Sequence, residues 1–181
     1  MPFGRHCKTW QTRFTDVHPA IEDLVNRYPA VPAYRAALAV NHNLDGRNNA
    51  AAGKTAVAEA HFRQSVQLNS VLLRYDPSTS HWENYARAGT LWSQMLMVQG
   101  RRNDAAEAKE ETIRVYEETL KTGNFGSQQW RMLELQLDSL VSLLDAMGRG
   151  GEALIYQLRA EEIRDEWGFV PLNQLRPELE N

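Results

Sequence analysis

The sequence predicts an all-α protein made of antiparallel helical hairpins that stack side by side. Along most of the chain, apolar residues recur every three or four positions, which places them on one face of a helix. Gly53, Gly100 and Gly148 interrupt this pattern at intervals of 47 and 48 residues. Glycine is the residue that most readily ends a helix, because it adopts the left-handed conformation without strain. Alternating β-branched runs are scarce, which argues against a sheet.

The N-terminal part of the chain is predicted to hold a tail and one unpaired helix. Residues 1–15 show no clear period and are interpreted as the tail. Residues 16–28 have helical spacing, and Pro19 suits the first turn of a helix. We interpret this helix as a partial unit, the second half of a hairpin whose first half is missing or degraded.

Three full hairpins are predicted, over residues 33–75, 80–121 and 127–167. The two helices of each hairpin are joined by a short turn, so they are expected to pack antiparallel. In the first hairpin, Asp45 and Asn49 stand where the other two hairpins carry large apolar residues. We therefore expect the first helix of that hairpin to be distorted or reached by solvent.

The C-terminal residues 168–181 are predicted to form a tail that caps the array. Leu172 and Leu175 are expected to fold back over the last hairpin, because a terminal repeat must cover its open face. Residues 16–167 are thus interpreted as one helical repeat domain between two tails.

Small residues recur at fixed distances from the break glycines. Ala58, Ala105 and Ala153 each follow one of the glycines by five residues. Close packing of two helices favours small side chains at such positions. A small residue, a break glycine and further small residues in this order resemble the tetratricopeptide repeat.

The resemblance covers roughly residues 16–167. Residues 53–62 look most like the turn and second helix of the tetratricopeptide repeat, and residues 32–39 are similar to the entry of long-period arrays beside kinase domains in some bacterial Ser/Thr kinases. The family period is about 34 residues, so the longer period here implies longer helices or loops. The resemblance implies a right-handed α-solenoid whose first helices line a groove.

Composition and charge exclude several functional classes. The 181 residues carry 20 basic and 23 acidic side chains, for a net charge of −3, which argues against a nucleic-acid surface. No apolar run approaches the ~20 residues needed to cross a bilayer, so no membrane partner is predicted. Cys7 is the only cysteine, which excludes an internal disulfide and favours a reducing, cytoplasmic location.

No catalytic residue, cofactor or metal site is predicted. The run Gly53–Thr55 lacks the preceding glycine and the strand of a phosphate loop. The five histidines include no pair three or four residues apart, so no metal ligand set is expected. His42 and His61 are expected to face each other within one hairpin in a structural, hydrogen-bonded role. The motifs of a kinase active site are absent from the sequence.

These observations favour a non-enzymatic scaffold that binds a peptide or helix of a partner protein. The resemblance places the partner groove on the first helices of the hairpins. It maps that groove onto six residues: Asn43, Arg47, Arg87, Gln94, Asp138 and Ser142. Arg47 and Arg87 make one end of the groove basic, and Asp138 has the opposite charge.

Two alternatives stay open. The chain could be a self-associating structural or regulatory helical module that forms a homo-oligomer, and it could be the non-catalytic part of a larger signalling protein such as a Ser/Thr kinase. An all-helical enzyme or effector-sensing domain would need polar groups that converge in a pocket, which the sequence does not show.

Overall fold

In a computed structural model, the described residues 17–123 and 125–169 fold into α-helices that pack in chain order. The seven helices of these residues are α1 Val17–Arg27, α2 Pro32–Ala51, α3 Thr55–Tyr75, α4 Thr79–Val98, α5 Arg102–Leu120, α6 Ser127–Ala146 and α7 Gly150–Trp167. Each helix packs against the next one. The first helices of neighbouring hairpins also contact each other, α2 with α4 and α4 with α6. This packing confirms the predicted all-α array of stacked hairpins.

The two predicted tails fall largely outside the described part of the chain. Residues 1–15 are not described, and neither are Leu172 and Leu175, for which a capping role is expected. Within the described ranges, no helix combines the length and the apolar character that a bilayer span requires.

Each hairpin turns at one of the three predicted glycines. Gly53, Gly100 and Gly148 have φ angles of 74°, 74° and 73°, in the left-handed region that favours glycine. The amide of the residue after each glycine donates to the carbonyl five residues earlier, at 2.8, 3.0 and 2.9 Å. This hydrogen bond closes the helix end in the same way three times. The bends predicted from the sequence are therefore confirmed.

Helix α2 is continuous from Pro32 to Ala51, so the distortion expected at its polar positions does not occur. Asp45 is half-buried because α1 packs over it and places His18 Nδ1 2.9 Å from its Oδ2. The Asn49 amide donates to the carbonyl of Asp45 at 2.8 Å. The helix stays regular because Asp45 and Asn49 have local partners, whereas their partial exposure agrees with the other half of the expectation, that solvent reaches this part of the helix.

The two helices of a hairpin approach closely where small residues lie. A Cβ atom added to Gly89 on α4 would meet Thr112 Oγ1 of α5 at 2.4 Å. At Gly46 on α2 an added Cβ would lie 2.6 Å from the ring of Phe62 on α3. In the second hairpin the Ser93 hydroxyl donates to a backbone carbonyl of α5 at 3.0 Å. Small side chains thus set the distance between the paired helices.

Aromatic stacking fills the centre of the array. The Trp82 indole lies parallel to the Tyr116 ring at 4.7 Å, with 6° between the planes. The Tyr116 hydroxyl donates to the carbonyl of Trp82 at 2.7 Å, and the Trp82 indole N–H donates to the carbonyl of Pro77 at 3.1 Å. Both buried polar groups are therefore satisfied, so these large rings can be fully enclosed.

Charged side chains are also buried among the second and third hairpins. Lys109 is 4% exposed, and its Nζ contacts only neutral oxygens of Thr90 at 3.4 Å and Gln136 at 3.3 Å. Burial lowers the pKa of Lys109 to about 8. Glu134 is fully buried between Arg131 and Arg164, at 2.9 and 2.8 Å. The glutamate is paired, whereas the lysine has no carboxylate partner among the residues that the structure describes.

Replacing Gly89 with alanine tests the close approach of α4 and α5. The added methyl group must displace Thr112, so we expect the free energy of unfolding to fall by about 1–3 kcal/mol. Gly151→Ala is the control, because nothing lies within 4 Å of the added Cβ at this helical position. Urea unfolding of both variants measures the effect. Equal stability of the two variants would contradict the packing described.

Lys109→Met tests the cost of the buried charge. The Lys109 pKa lies at about 8 in the folded chain, against 10.5 ordinarily, so between these values the unfolded chain binds more protons. The free energy of unfolding should therefore rise by about 2 kcal/mol between pH 7.5 and 9.5. In Lys109→Met this rise should disappear, and stability at pH 7 should increase. Lys54 is exposed, so the control Lys54→Met should keep this rise in the free energy of unfolding. If Lys54→Met also lost the rise, Lys109 would not be its source.

Candidate functional site

The exposed side of the first helices carries most of the six predicted groove residues. Arg47 on α2, Gln94 on α4 and Ser142 on α6 occupy equivalent positions, 47 and 48 residues apart, and all three are exposed. Arg87 on α4 is exposed as well and lies seven residues before Gln94, two helical turns along the same stripe. We call these four residues, together with Leu44 on α2, the first-helix face.

The other two predicted groove residues have contacts within the chain. Asn43 is buried, with 8% of its surface exposed. Asp138 is half-buried and accepts a hydrogen bond from the Arg164 guanidinium on α7. Asp138 thus points toward the helix that is paired with its own, which helical spacing alone could not indicate.

The basic groups of the first-helix face have no carboxylate partner. Neither Arg47 nor Arg87 forms an ion pair with any residue of 17–123 or 125–169, whereas Arg63 and Arg114 do. Leu44 lies three residues before Arg47 and is 40% exposed. The face therefore combines free positive charge with accessible apolar surface at its α2–α4 end.

A separate cleft of about 620 Å³ opens between α3 and α5. Side chains of α4, among them Tyr85, Trp92 and Leu96, line its floor. An ion pair between Glu59 and Arg101, at 2.7 Å, joins its two walls at one end. The sequence did not predict this cleft, because helical periodicity does not show how far apart the second helices of neighbouring hairpins stand.

Three histidines meet where α1, α2 and α3 come together. The ring centroids of His18 and His42 are 4.4 Å apart, and those of His42 and His61 are 5.3 Å apart. The Nδ1 atoms of His42 and His61 share a hydrogen bond of 3.0 Å, which confirms that these two residues face each other. Burial, together with the neighbouring histidines, lowers the pKa of His42 to about 4. The ring of His42 is therefore uncharged at neutral pH.

Two carboxylates complete the histidine cluster. Glu22 Oε1 lies 3.3 Å from His18 Nε2, and Asp45 Oδ2 lies 2.9 Å from His18 Nδ1. The spacing of the histidines relative to one another does not indicate this grouping, because it leaves the carboxylates out. The available signal was the four-residue spacing of His18 and Glu22 and the three-residue spacing of His42 and Asp45, since each pair lies on one helix face.

No protein-family model matches this chain, and no curated protein is significantly similar to it. The packing of the helices in chain order is that of a helical repeat array. Membership of the tetratricopeptide-repeat family and similarity to kinase-associated arrays stay at the level of a resemblance.

Proposed function

We propose that this protein is a non-enzymatic scaffold that binds a peptide or helix of a partner protein on its first-helix face. The observation that supports the proposal most directly is that Arg47 and Arg87 are exposed and form no ion pair with any described residue, while the accessible Leu44 lies one helical turn from Arg47. Unpaired arginine next to apolar surface is typical of recognition sites, because arginine binds carboxylates in a fixed geometry and also packs well.

The charge of the face indicates the chemistry of the partner. A segment with both acidic and apolar side chains matches it, because the acids pair with the two arginines while the apolar groups cover Leu44. Equivalent exposed positions on α2, α4 and α6 repeat along the array, so an extended segment or a helix can contact all three. We also propose that this chain is a long-period relative of the tetratricopeptide repeat and that it acts in the cytoplasm.

The test is a titration of the protein with acidic amphipathic peptides at low and at high salt, with binding measured by fluorescence anisotropy. Removing both arginines, in Arg47→Ala/Arg87→Ala, should weaken binding by roughly tenfold or more, because two charge-assisted contacts are lost. Added salt should weaken binding of the wild type more than binding of the variant.

A matched control separates a local contact from a change in net charge. Arg102→Ala/Lys121→Ala also removes two exposed positive charges, from positions outside the first-helix face. This control should bind like the wild type. Equal affinities of the wild type and the Arg47/Arg87 variant would remove the first-helix face from the proposal.

A second candidate function, self-association, is supported by the outer side of α7. Leu154, Ile155 and Leu158 are 52%, 59% and 57% exposed, so a short apolar stripe lies open on the last described helix. Among the described helices, α7 packs mainly against α6 and also pairs Arg159 with Glu117 of α5. A second copy of the chain that stacks on α7 would cover this stripe and extend the array.

Light scattering coupled to size-exclusion chromatography tests self-association. The wild type should form dimers as concentration rises, and Leu154→Gln/Leu158→Gln should stay monomeric. Val57→Gln removes an exposed apolar side chain on α3 and serves as the control that should still dimerise. A wild-type chain that stays monomeric at every concentration would exclude this candidate.

A further inference from the structure

Two histidines and a glutamate converge at the contact of α1 and α2. His18, Glu22 and His42 each present one nitrogen or oxygen ligand atom, and these three atoms lie within 4.8 Å of one another. His18 and Glu22 share one face of α1, and His42 reaches the same point from α2. The sequence provides no such pair of histidines on one helix, so the site exists only through the packing of two helices.

The spacing of these atoms suits a small divalent metal ion. Zinc binds histidine nitrogen at about 2.0–2.1 Å and carboxylate oxygen at about 2.0–2.2 Å in a tetrahedral arrangement, which puts neighbouring ligand atoms roughly 3.3 Å apart. The distance between His18 Nε2 and Glu22 Oε1 is 3.3 Å. Imidazole and carboxylate are also the ligand types that zinc takes in sites with three protein ligands.

The second nitrogen of each imidazole already has a neighbour. His18 Nδ1 lies 2.9 Å from Asp45 Oδ2, and His42 Nδ1 lies 3.0 Å from His61 Nδ1. Histidines that bind metals usually hydrogen-bond through their other nitrogen, most often to a carboxylate or carbonyl, which fixes the orientation of the ring. His61 is thus placed to orient His42 through a hydrogen bond, Asp45 lies beside His18 as a charged neighbour, and the Nε2 atom of His18 faces Glu22.

Comparison with the other hairpins shows that this polar cluster is specific to the first one. The residues equivalent to Asp45 are Trp92 and Leu140, and Leu137 is one of the residues equivalent to His42. All three of these are apolar. On α2, imidazole and carboxylate thus stand at positions where the first helices of the other hairpins have these apolar side chains.

Helix α1 has little else to hold it in place. It contains 11 residues, none of them buried, and among the described helices it packs against α2, with His18 also reaching the ring of His61 on α3 at 6.0 Å. Short helices are marginally stable without tertiary contacts. A metal ion shared by α1 and α2 supplies such a contact, because binding to the folded chain stabilises it by mass action.

We propose that His18, Glu22 and His42 bind one divalent ion of the zinc class, with water in the fourth position. His61 orients the imidazole of His42, Asp45 lies beside His18 as a charged neighbour, and the ion fastens α1 to α2.

Calorimetric titration of the whole chain with Zn²⁺ at pH 7 tests the site. The wild type should bind one ion per chain and unfold at a higher temperature when loaded. Glu22→Gln should weaken binding by roughly tenfold or more and reduce the thermal shift, because a ligand oxygen with full charge is lost. Glu22 is exposed, so this variant should keep its fold, which circular dichroism checks.

A matched variant and a second metal make the result decisive. Glu83→Gln removes an exposed glutamate on α4 and should bind Zn²⁺ like the wild type. Co²⁺ should give the visible absorption of a tetrahedral site in the wild type and lose it in His18→Gln. Absence of saturable Zn²⁺ binding below about 1 mM would overturn the proposal, because an affinity that weak amounts to only ~4 kcal/mol. Equal affinity of the wild type, Glu22→Gln and His18→Gln would overturn it as well.

Discussion

Three glycines in the left-handed conformation impose the constraint on which the rest of the structure depends. After Gly53, Gly100 and Gly148 the chain reverses direction within a few residues, through the same backbone hydrogen bond each time. Any other residue type would strain the backbone at these φ angles. Because the three bends are alike, the paired helices start in the same relative position, and equivalent residues of successive hairpins come to lie side by side.

The common geometry lets each contact between helices differ in chemistry without changing the fold. The second hairpin is packed by stacked rings of Trp82 and Tyr116, whereas α6 and α7 enclose Glu134 with Arg164. The buried Lys109 costs stability because it has no anionic partner, while the buried glutamate is offset by its arginines. A repeat array tolerates such differences because each hairpin packs mainly on its immediate neighbours.

The sequence was informative where the decisive interaction is local. A glycine at the end of an apolar stripe predicts a bend from its own conformational preference, and Gly100 lies at a bend as predicted. Apart from the facing of His42 and His61 within one hairpin, contacts between residues of different helices could not be predicted in this way. The pairing of Asp138 with Arg164, and that of His18 with Asp45, depends on the rotation of one helix against another. Periodicity fixes which residues share a face, but not which residue of a second helix meets them.

The free charge of Arg47 on the first-helix face follows from the sequence around it. Arg114 pairs with Glu111 and Glu118, three and four residues away on its own helix. Arg47 has no acidic residue at either spacing, so its own helix cannot neutralise it.

Helix α2, which carries Arg47, also turns His42 toward α1, on the side away from solvent. Helix α2 thus has one side directed at the histidine cluster and another directed outward. Because these sides are distinct, loss of the proposed metal ion should loosen α1 without removing the charge of Arg47. The proposed partner binding and the proposed metal binding can therefore be tested separately on one helix.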